Sequence, residues 1–433
     1  MKRHNTGVFS HDDFGEDYTP DVYALGVDIV AAYFTRRRWC HRRVEALHLL
    51  DGEQARLRIT VDVTPPDIAW TRRGVAASNL LLLGLMKKQD IRLLDVRDPA
   101  GNAVPVATRQ HNELATAAAL AAMLEIYARD GVLRVQDQWT RILQLTRSAD
   151  ASVAVQTLIS DFDLNPDVRF EFIDLAMNYL LLAVLDDRSA GRRTVLSYSY
   201  HLEIRDRSRN RYLHSVLAGA AATVAPGFGL AGLTFSLPSN QMHWAQSYQF
   251  ECVAPAGLRI RSLRLPAQHG GDRPGDVSGS VVGHASARYD RQGDTGPIDI
   301  VLELDGGGTL PRIALWSLVL LSFYIALLMN EPLYDRIEGA VGIATTLLLS
   351  VPALLLGLSA RGSENHFVSQ IMLPLRASAV LLSTSLYLLA ALLALGYGYP
   401  VVRAYAVAAV VIATTVGVST IVGWTLLKRI RSL

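Results

Sequence analysis

The chain has 433 residues, a formal net charge of +2 and 50% hydrophobic residues. So small a net charge gives no general attraction to nucleic acid, and no nucleic-acid partner is expected. The two cysteines, Cys40 and Cys252, are too few for a secreted domain held together by disulfides, so a reducing compartment is favoured.

The N-terminal region begins with a polar stretch, residues 1–20, that predicts a disordered tail without the apolar run of a signal peptide. A short amphipathic helix is predicted over residues 21–34. Alternating apolar and polar residues then predict a strand over residues 57–63. Residues 44–50 are expected to pair with it through Asp51-Gly52, because both turn positions tolerate a positive φ.

A second hairpin is predicted over residues 91–106, and helical patterns follow it, the first capped by Asn112. The predicted helices cover residues 112–130, 134–147, 150–160 and 168–187. They form a helical insert at about residues 110–190.

Strand patterns return after the insert, at residues 198–204, 248–252, 258–265 (with a bulge at Ser262) and 298–304. Hairpins on both sides of a helical block predict an α+β fold over residues 21–305, an antiparallel β-sandwich with a helical insert. The uncharged residues 215–237 are long enough to cross a bilayer, but their glycines and proline favour a loop or a buried strand.

The C-terminal quarter contains four apolar segments, each close to or above the about 20 residues that a bilayer-spanning helix needs. They cover residues 313–329, 339–360, 377–399 and 404–427. They predict a four-helix transmembrane bundle over residues 312–433, joined to the β-rich part by a glycine-rich joint at 306–311. The expected location is therefore a bacterial cell membrane, in a multi-pass arrangement.

Charges beside these segments predict their orientation. Six basic residues flank the ends that face the N-terminal part, namely Arg312, Arg361, Arg376, Lys428, Arg429 and Arg431. Only Arg336 and Arg403 flank the opposite ends. By the positive-inside rule, both the N-terminus and the C-terminus are expected in the cytoplasm.

No catalytic or cofactor signature is present. The sequence has no GxSxG elbow and no pair of Cys or His at zinc-ligand spacing. Residues 161–167 begin like a calcium loop, but Pro166 stands where such a loop turns on glycine, and Asp167 is instead predicted to cap the next helix. Residues 227–232 match GxGxxG without the strand and helix that the motif requires. We therefore predict no enzyme activity, no cofactor, and no catalytic, cofactor-binding or metal-binding residue.

A basic run begins directly after the first predicted helix. Its arginines are candidates for contact with the phosphates of lipid headgroups. The alternatives are a solvated strand edge paired with local carboxylates and, less favoured, contact with nucleic acid. They are Arg36, Arg37, Arg38, Arg42 and Arg43. A second basic cluster, at residues 205–211, has the pattern of a hairpin tip.

Two stripes of small residues run along the predicted membrane helices with i, i+4 spacing. One consists of Gly342, Thr346 and Ser350, and the other of Ala409, Ala413 and Gly417. Such stripes favour close helix packing within a bundle or an oligomer, and a pore lining is the alternative. No ionisable residue lies in the middle of a predicted helix, which argues against pumps and proton-coupled transporters.

Several short segments carry a resemblance to known proteins: Leu50-Asp51-Gly52, Asp95-Val96-Arg97-Asp98 and Tyr248-Gln249-Phe250-Glu251. With the four-helix tail, they resemble uncharacterised bacterial membrane proteins of high-GC, actinobacterial type. The resemblance implies a β-rich N-terminal domain before four transmembrane helices, and it supplies no functional residue. The layout also resembles pentameric ligand-gated channels, whose N-terminal domain lies on the opposite side of the membrane from the one predicted for this chain.

Two functions remain open at this point. The favoured one is a membrane-anchored cytoplasmic sensor or interaction module. Its expected partners are membrane lipids, a second copy of the chain and an unidentified cytoplasmic protein. The alternative is an ion channel or pore gated by the β-rich domain.

Overall fold

The computed structural model describes residues 18–50, 54–70, 78–88, 92–128, 135–148, 151–203, 228, 232–239, 241–266, 273–274, 281–287, 296–304, 309–340, 342, 350 and 366–431. Several predicted features lie outside these residues and stay predictions. They are the disordered tail, the Asp51-Gly52 turn, the cluster at 205–211, most of 215–237, the glycines at 306–308 and most of the second membrane helix.

The extramembrane part combines helices and strands. Its helices are α1 (Pro20–Phe34), α2 (Arg36–Trp39), α3 (Arg109–Tyr127), α4 (Val135–Arg147), α5 (Ser152–Asp161) and α6 (Pro166–Met177). Its strands are β1 (Cys40–Leu49), β2 (Gln54–Val63), β3 (Ala69–Trp70), β4 (Ser78–Lys87), β5 (Arg92–Arg97), β6 (Asn178–Asp186), β7 (Thr194–Glu203), β8 (Leu233–Ser239), β9 (Ser247–Val253), β10 (Leu258–Leu265), β11 (Arg273–Pro274), β12 (Val282–Ala287) and β13 (Gly296–Leu304). The C-terminal helices are α7 (Thr309–Met329), α8 (Glu331–Gly339), α9 (His366–Ala394) and α10 (Tyr399–Arg431).

The described strands form three sheets. The six-stranded sheet has the order β12-β9-β1-β2-β7-β5, in which β1 and β9 are parallel and all other neighbours are antiparallel. A four-stranded sheet, β11-β10-β13-β8, and a three-stranded sheet, β3-β4-β6, are antiparallel throughout. The fold is therefore mixed α and β, and the finer description as a sandwich stays a prediction.

The predicted β1–β2 hairpin and the predicted bulge in β10 are both confirmed. β1 and β2 pair in antiparallel register from Arg42 opposite Asp62 to Leu49 opposite Ala55. In β10 the register against β13 shifts between Ile260 and Ser262. These features were predictable because alternation of apolar and polar residues sets which face of a strand is buried.

The prediction of a single helix over residues 168–187 is wrong. Helix α6 ends at Met177, and the continuous apolar run that follows it becomes β6, which pairs with β4. A strand buried on both faces shows no alternation, so periodicity does not separate it from a helix. The helix N-caps also differ from those predicted, because the Thr108 Oγ1 and Asn165 Oδ1 atoms accept the capping bonds of α3 and α6 in place of Asn112 and Asp167.

Helix α3 is the centre of the helical insert, and its alanines permit close contact with α1. A Cβ added at Gly26 of α1 would lie 2.2 Å from the backbone oxygen of Ala118. The two helices can approach this closely only because residue 26 has no side chain. The insert therefore packs against the N-terminal helix as part of one core.

Within the part of the chain that the structure describes, three helices are long and apolar enough to span a membrane: Leu310–Met329, Ile371–Ala394 and Tyr399–Thr425. The chain is accordingly a membrane protein. The third predicted segment begins earlier than expected, since α9 starts at His366 and continues through Pro374. The fourth also begins earlier, at Tyr399, so Arg403 lies inside α10. A four-helix bundle stays a prediction, because the second segment is mostly outside the described residues.

The extramembrane part meets the membrane helices at two neighbouring points. Strand β13 ends at Leu304, and α7 begins at Thr309. The β9–β10 turn contains Gly257, whose φ is +89° and whose Cβ position lies 3.9 Å from Cγ1 of Val368 in the first turn of α9. The ends of β9 and β13 therefore both point toward the membrane helices.

Candidate functional site

The six-stranded sheet has two faces with different charge environments. On β1, Arg43 and Glu45 point to the buried face together with Leu47, whereas Arg42 is exposed on the other face. Side chains alternate along a strand, so this separation follows directly from sequence position. We call the two sides the inner face and the outer face.

A buried ion pair lies at the centre of the inner face. The side chains of Arg43 and Glu45 are 3% and 4% exposed. The Nε atom of Arg43 donates to Oε1 of Glu45 at 2.7 Å, and the hydroxyl of Tyr248 donates to Oε2 at 2.9 Å. Both carboxylate oxygens are thus hydrogen-bonded, as a buried charge requires.

A bulge in β4 completes this inner network. The β4–β6 register shifts between Leu82 and Gly84, which places Leu83 at the bulge. The Leu83 carbonyl accepts from Nη1 of Arg43 at 3.3 Å and from the Tyr198 hydroxyl at 3.2 Å. Burial opposes the charge of Arg43, but Tyr198 and Glu45 outweigh it and raise the pKa of Arg43. The network is therefore a satisfied ionic core without a reactive group.

A second buried arginine, Arg36, lies in an aromatic cage. Its guanidinium carbon is 4.5 Å from the ring centroid of Tyr33 and 5.2 Å from that of Trp244, within cation–π range. Its Nη1 atom donates to the Tyr33 carbonyl at 3.0 Å, and its Nη2 atom contacts Nε2 of His243. The chain itself thus supplies the cation that this cage holds.

His243 is uncharged at neutral pH. Burial, together with the neighbouring charges of Arg36, Arg37 and Arg43, lowers its pKa to about 3. The nearby carboxyl of Asp174 shifts the opposite way, since burial raises its pKa to about 6. The surroundings of Arg36 therefore favour neutral forms of the groups beside it.

The lipid-contact prediction is wrong for Arg36 and Arg43, because both side chains are buried inside the extramembrane part. Arg37 is partly buried, and Arg38 and Arg42 are exposed. Arg42 is opposite Ser247 on β9, and six residues of strand, about 20 Å, separate this position from Val253 near the membrane helices. For the three exposed or partly exposed arginines, lipid contact stays a prediction that this distance weighs against.

The two small-residue stripes differ in their surroundings. Ala409 and Ala413 are buried, and a Cβ at Gly417 would lie 3.0 Å from Oγ of Ser317 on α7. The stripe on α10 thus faces another helix of the same chain. Gly342 and Ser350 are exposed, and Thr346 lies outside the described residues, so the role of that stripe stays a prediction.

Hydroxyl groups also join the membrane helices. The hydroxyl of Tyr324 on α7 is 2.9 Å from Oγ of Ser385 on α9. The hydroxyl of Tyr405 on α10 donates to the Ser385 carbonyl at 2.5 Å. One residue of α9 therefore connects all three helices, as interhelical hydrogen bonds commonly do in membranes.

Sequence reasoning missed the inner network, although a signal was available. Arg43 and Glu45 are in phase with Leu47 and Leu49, so the strand pattern already placed them on the buried side. Across the residues that the structure describes, no cluster of three His, Cys, Asp or Glu side chains could hold a metal ion. Comparison with models of protein families and with curated proteins finds no match to this chain.

Proposed function

We propose that this chain is a membrane-anchored sensor or interaction module with its β-rich part in the cytoplasm. The observation that carries the proposal is the close approach of Gly257, in the β9–β10 turn, to Val368, at the start of α9, where a Cβ at residue 257 would lie 3.9 Å from Cγ1 of Val368. This contact adds to the covalent connection from β13 to α7. A displacement of β9 or β13 would therefore reach two membrane helices directly.

The sheet end beside the membrane is stiffened by a second ion pair. Arg259 on β10 lies opposite Glu303 on β13, and the two buried side chains form a salt bridge. Nε of Arg261 is 4.0 Å from the other oxygen of Glu303. Breaking a buried pair is strongly unfavourable, so β10 and β13 are expected to move together.

The membrane helices suit an anchor. The contact of Gly417 with Ser317 and the hydrogen bonds at Ser385 are directed between helices of one chain. In this proposal, recognition takes place on the extramembrane sheets and the helices fix and follow them. A pore is the competing outcome of the experiments below.

The test is a cross-link between the turn and α9. A Cβ at residue 257 would lie 3.9 Å from Cγ1 of Val368, so cysteines at the two positions would be close enough for their sulfur atoms to meet. We expect the double variant Gly257→Cys/Val368→Cys to form an intrachain disulfide in membranes. Native Cys40 and Cys252 are buried, and burial raises their pKa to about 11 and about 12, so their thiols compete poorly.

The matched control is Arg38→Cys/Val368→Cys, because residue 38 is exposed and precedes β1 at the end of the sheet far from α9. The disulfide is detected as a shift in electrophoretic mobility on non-reducing gels. A shift in the control alone, or in neither variant, would refute the placement of the β9–β10 turn beside α9. Ion conductance by the purified chain in planar bilayers would refute the anchor and support a pore. An active alkaline phosphatase fused at Leu433 would refute the cytoplasmic orientation.

A further inference from the structure

A basic pocket of about 180 Å³ opens on the outer face of the six-stranded sheet. It is formed across three adjacent strands, β2, β7 and β5. Its lining residues are Arg56, Arg58, Asp95, Arg97, Ser197, Tyr198 and Ser199. Short serine side chains on β7 lie between long arginines on both sides, and this difference in length produces the depression.

The register places the arginines around the two serines. Arg58 on β2 and Asp95 on β5 are both opposite Ser199 of β7, and Arg97 is opposite Ser197. Arg56 is two residues from Arg58 and therefore on the same face. Adjacent strands are about 4.8 Å apart, so the β2 and β5 arginines are within reach of one small ligand placed over β7.

Two of the three arginines are held in position by neighbouring groups. Arg56 donates to Oγ of Ser199 from Nη2 at 3.0 Å. Arg97 donates from Nε to Asp95 at 2.8 Å and from Nη1 to the Gly101 carbonyl at 2.9 Å. Because these side chains are already ordered, a ligand meets part of its binding site preformed.

Arg58 is the unusual member of the pocket. It is exposed and has no hydrogen bond or ion pair with any residue that the structure describes. It lines the pocket together with Arg56, and Asp95, the single carboxylate in the lining, already pairs with Arg97. Two positive charges are thus left without a local counter-charge.

We propose that the pocket formed by Arg56, Arg58, Arg97, Ser197 and Ser199 binds a phosphate monoester group. This proposal rests on the proposed sensor function and names the chemical class that the sensor recognises. Two uncompensated positive charges match a phosphate monoester, which carries about −1.5 to −2 at neutral pH, better than a single carboxylate. Arginine forks suit phosphate oxygens, and the serine hydroxyls are further donors.

The dimensions of the pocket limit the ligand. Pockets for drug-sized molecules usually measure about 300–1,000 Å³, so this smaller one accommodates the phosphate group while the rest of the molecule stays outside. Its position allows two sources. Arg56 is in register with His48, which pairs with Val253 near the membrane helices, so the phosphate can belong to a lipid headgroup or to a soluble ester.

The first experiment titrates inorganic phosphate into the purified full chain in mild detergent, by calorimetry at constant ionic strength. We expect Arg58→Gln to weaken binding about tenfold, since a charge-assisted hydrogen bond is lost. Asp95→Asn should tighten binding several-fold, because it removes the one negative charge of the lining. The matched control is Arg38→Gln, which removes an exposed arginine outside the pocket and should leave the affinity unchanged.

Opposite effects of the two pocket variants separate binding from a structural role. Absence of phosphate binding in the unaltered chain, or an equal loss in Arg58→Gln and Arg38→Gln, would overturn the site. These outcomes are independent of the Gly257–Val368 cross-link, which tests the proposed function alone.

The second experiment identifies the source by hydrogen exchange of β2 and β7 in nanodiscs. Protection in nanodiscs that contain phosphatidic acid, whose headgroup is a phosphate monoester, but not in phosphatidylcholine alone, supports a lipid headgroup if Arg58→Gln abolishes it. Protection that needs added glycerol phosphate supports a soluble ester. Exchange that is unchanged in all conditions would overturn the proposal.

Discussion

The two faces of the six-stranded sheet use the same residue type under opposite conditions. On the inner face, Arg43 is almost completely buried, and it is bonded to a carboxylate, a hydroxyl and a backbone carbonyl. On the outer face, Arg58 is exposed and has no such partner among the described residues. Burial demands that every donor be satisfied, whereas water satisfies an exposed guanidinium until a ligand replaces it. The inner arginine therefore serves stability, and the outer arginine is available for recognition.

The largest expected effect comes from removing the inner carboxylate. Glu45→Gln leaves Arg43 charged and buried, and we expect the free energy of unfolding to fall by about 3–5 kcal/mol. Urea unfolding of the full chain in mild detergent measures this change. Arg58→Gln on the outer face is the matched comparison and should stay within about 0.5 kcal/mol.

A double replacement sharpens the same comparison. Arg43→Met/Glu45→Met removes both charges together, and a buried ion pair replaced by apolar residues is often neutral for stability. The free energy of unfolding of the double variant should therefore lie closer to that of the unaltered chain than the value for Glu45→Gln does. Equal losses in the two variants would contradict an ionic cause and indicate lost packing.

The next effect is a pH dependence of the free energy of unfolding, caused by His243 beside the buried Arg36. The pKa of His243 is ordinarily 6.5 and is lowered to about 3 in the fold, so below pH 6.5 the unfolded chain gains a proton that the folded chain does not. Stability from this residue is thus present above pH 6.5 and is lost as the pH falls toward 3. Asp174 acts in the opposite direction, because its raised pKa favours the folded state as the pH falls below about 6.

The variant His243→Gln isolates the histidine from that opposing effect. Its stability relative to the unaltered chain should improve by about 1.4 kcal/mol for each pH unit below about pH 6. Urea unfolding at several pH values between 7 and 5 measures this difference in the free energy of unfolding. Differences of ~1 kcal/mol are resolved by such measurements. Parallel pH profiles for the two proteins would contradict a neutral, buried His243.

A smaller effect is expected from one hydrogen bond of the inner network. Tyr248→Phe removes the donor to Oε2 of Glu45 and should cost about 2 kcal/mol, the usual range for a bond to a charged group. The control is Tyr200→Phe, because the structure shows no hydrogen bond from the Tyr200 hydroxyl to a described residue. If both variants lose the same stability, the hydrogen bond from Tyr248 to Glu45 does not contribute measurably to the free energy of unfolding.

The smallest effect belongs to an outer-face pair. Arg193 makes two hydrogen bonds to Asp62, at 2.9 Å and 2.6 Å, and these bonds lower the pKa of Asp62. Arg193 is 67% exposed, and solvent screening weakens such pairs. Arg193→Gln should therefore leave the unfolding midpoint unchanged within error. A clear loss would contradict the division between a stabilising inner face and a solvated outer face.

The sequence allowed local features to be predicted better than long-range ones. The β1–β2 hairpin followed from alternation and a two-residue turn, both properties of neighbouring residues. The parallel pairing of β1 with β9 was not predictable, because nothing near Val44 specifies Gln249 as its partner. The β6 run was misassigned since Leu180, Leu181 and Leu182 are all buried and have no period.

The candidate sites show the same limit. Arg36 and Arg43 were predicted on the surface because they belong to a basic run. Arg36 is buried because it lies on the inner side of the one-turn helix α2, and Arg43 is buried because it is in phase with the apolar residues of β1. The outer pocket needs β2, β5 and β7 to lie side by side, so no single stretch contains its pattern. Only the β2 half of the pocket was visible in the sequence, where Arg56 and Arg58 alternate with apolar residues and therefore share one face of the strand.

The parallel β1–β9 pair also sets an order for folding during synthesis. Strand β1 leaves the ribosome early, but its second neighbour appears only after the whole helical insert has been made. Until then the β1 edge is open, and open edges invite pairing with other chains. Strand β9 is nevertheless complete before α7 is made. Strands β1 and β9 can therefore pair before α7, the first described membrane helix, reaches the bilayer. Slower translation after β9 should for this reason favour correct assembly.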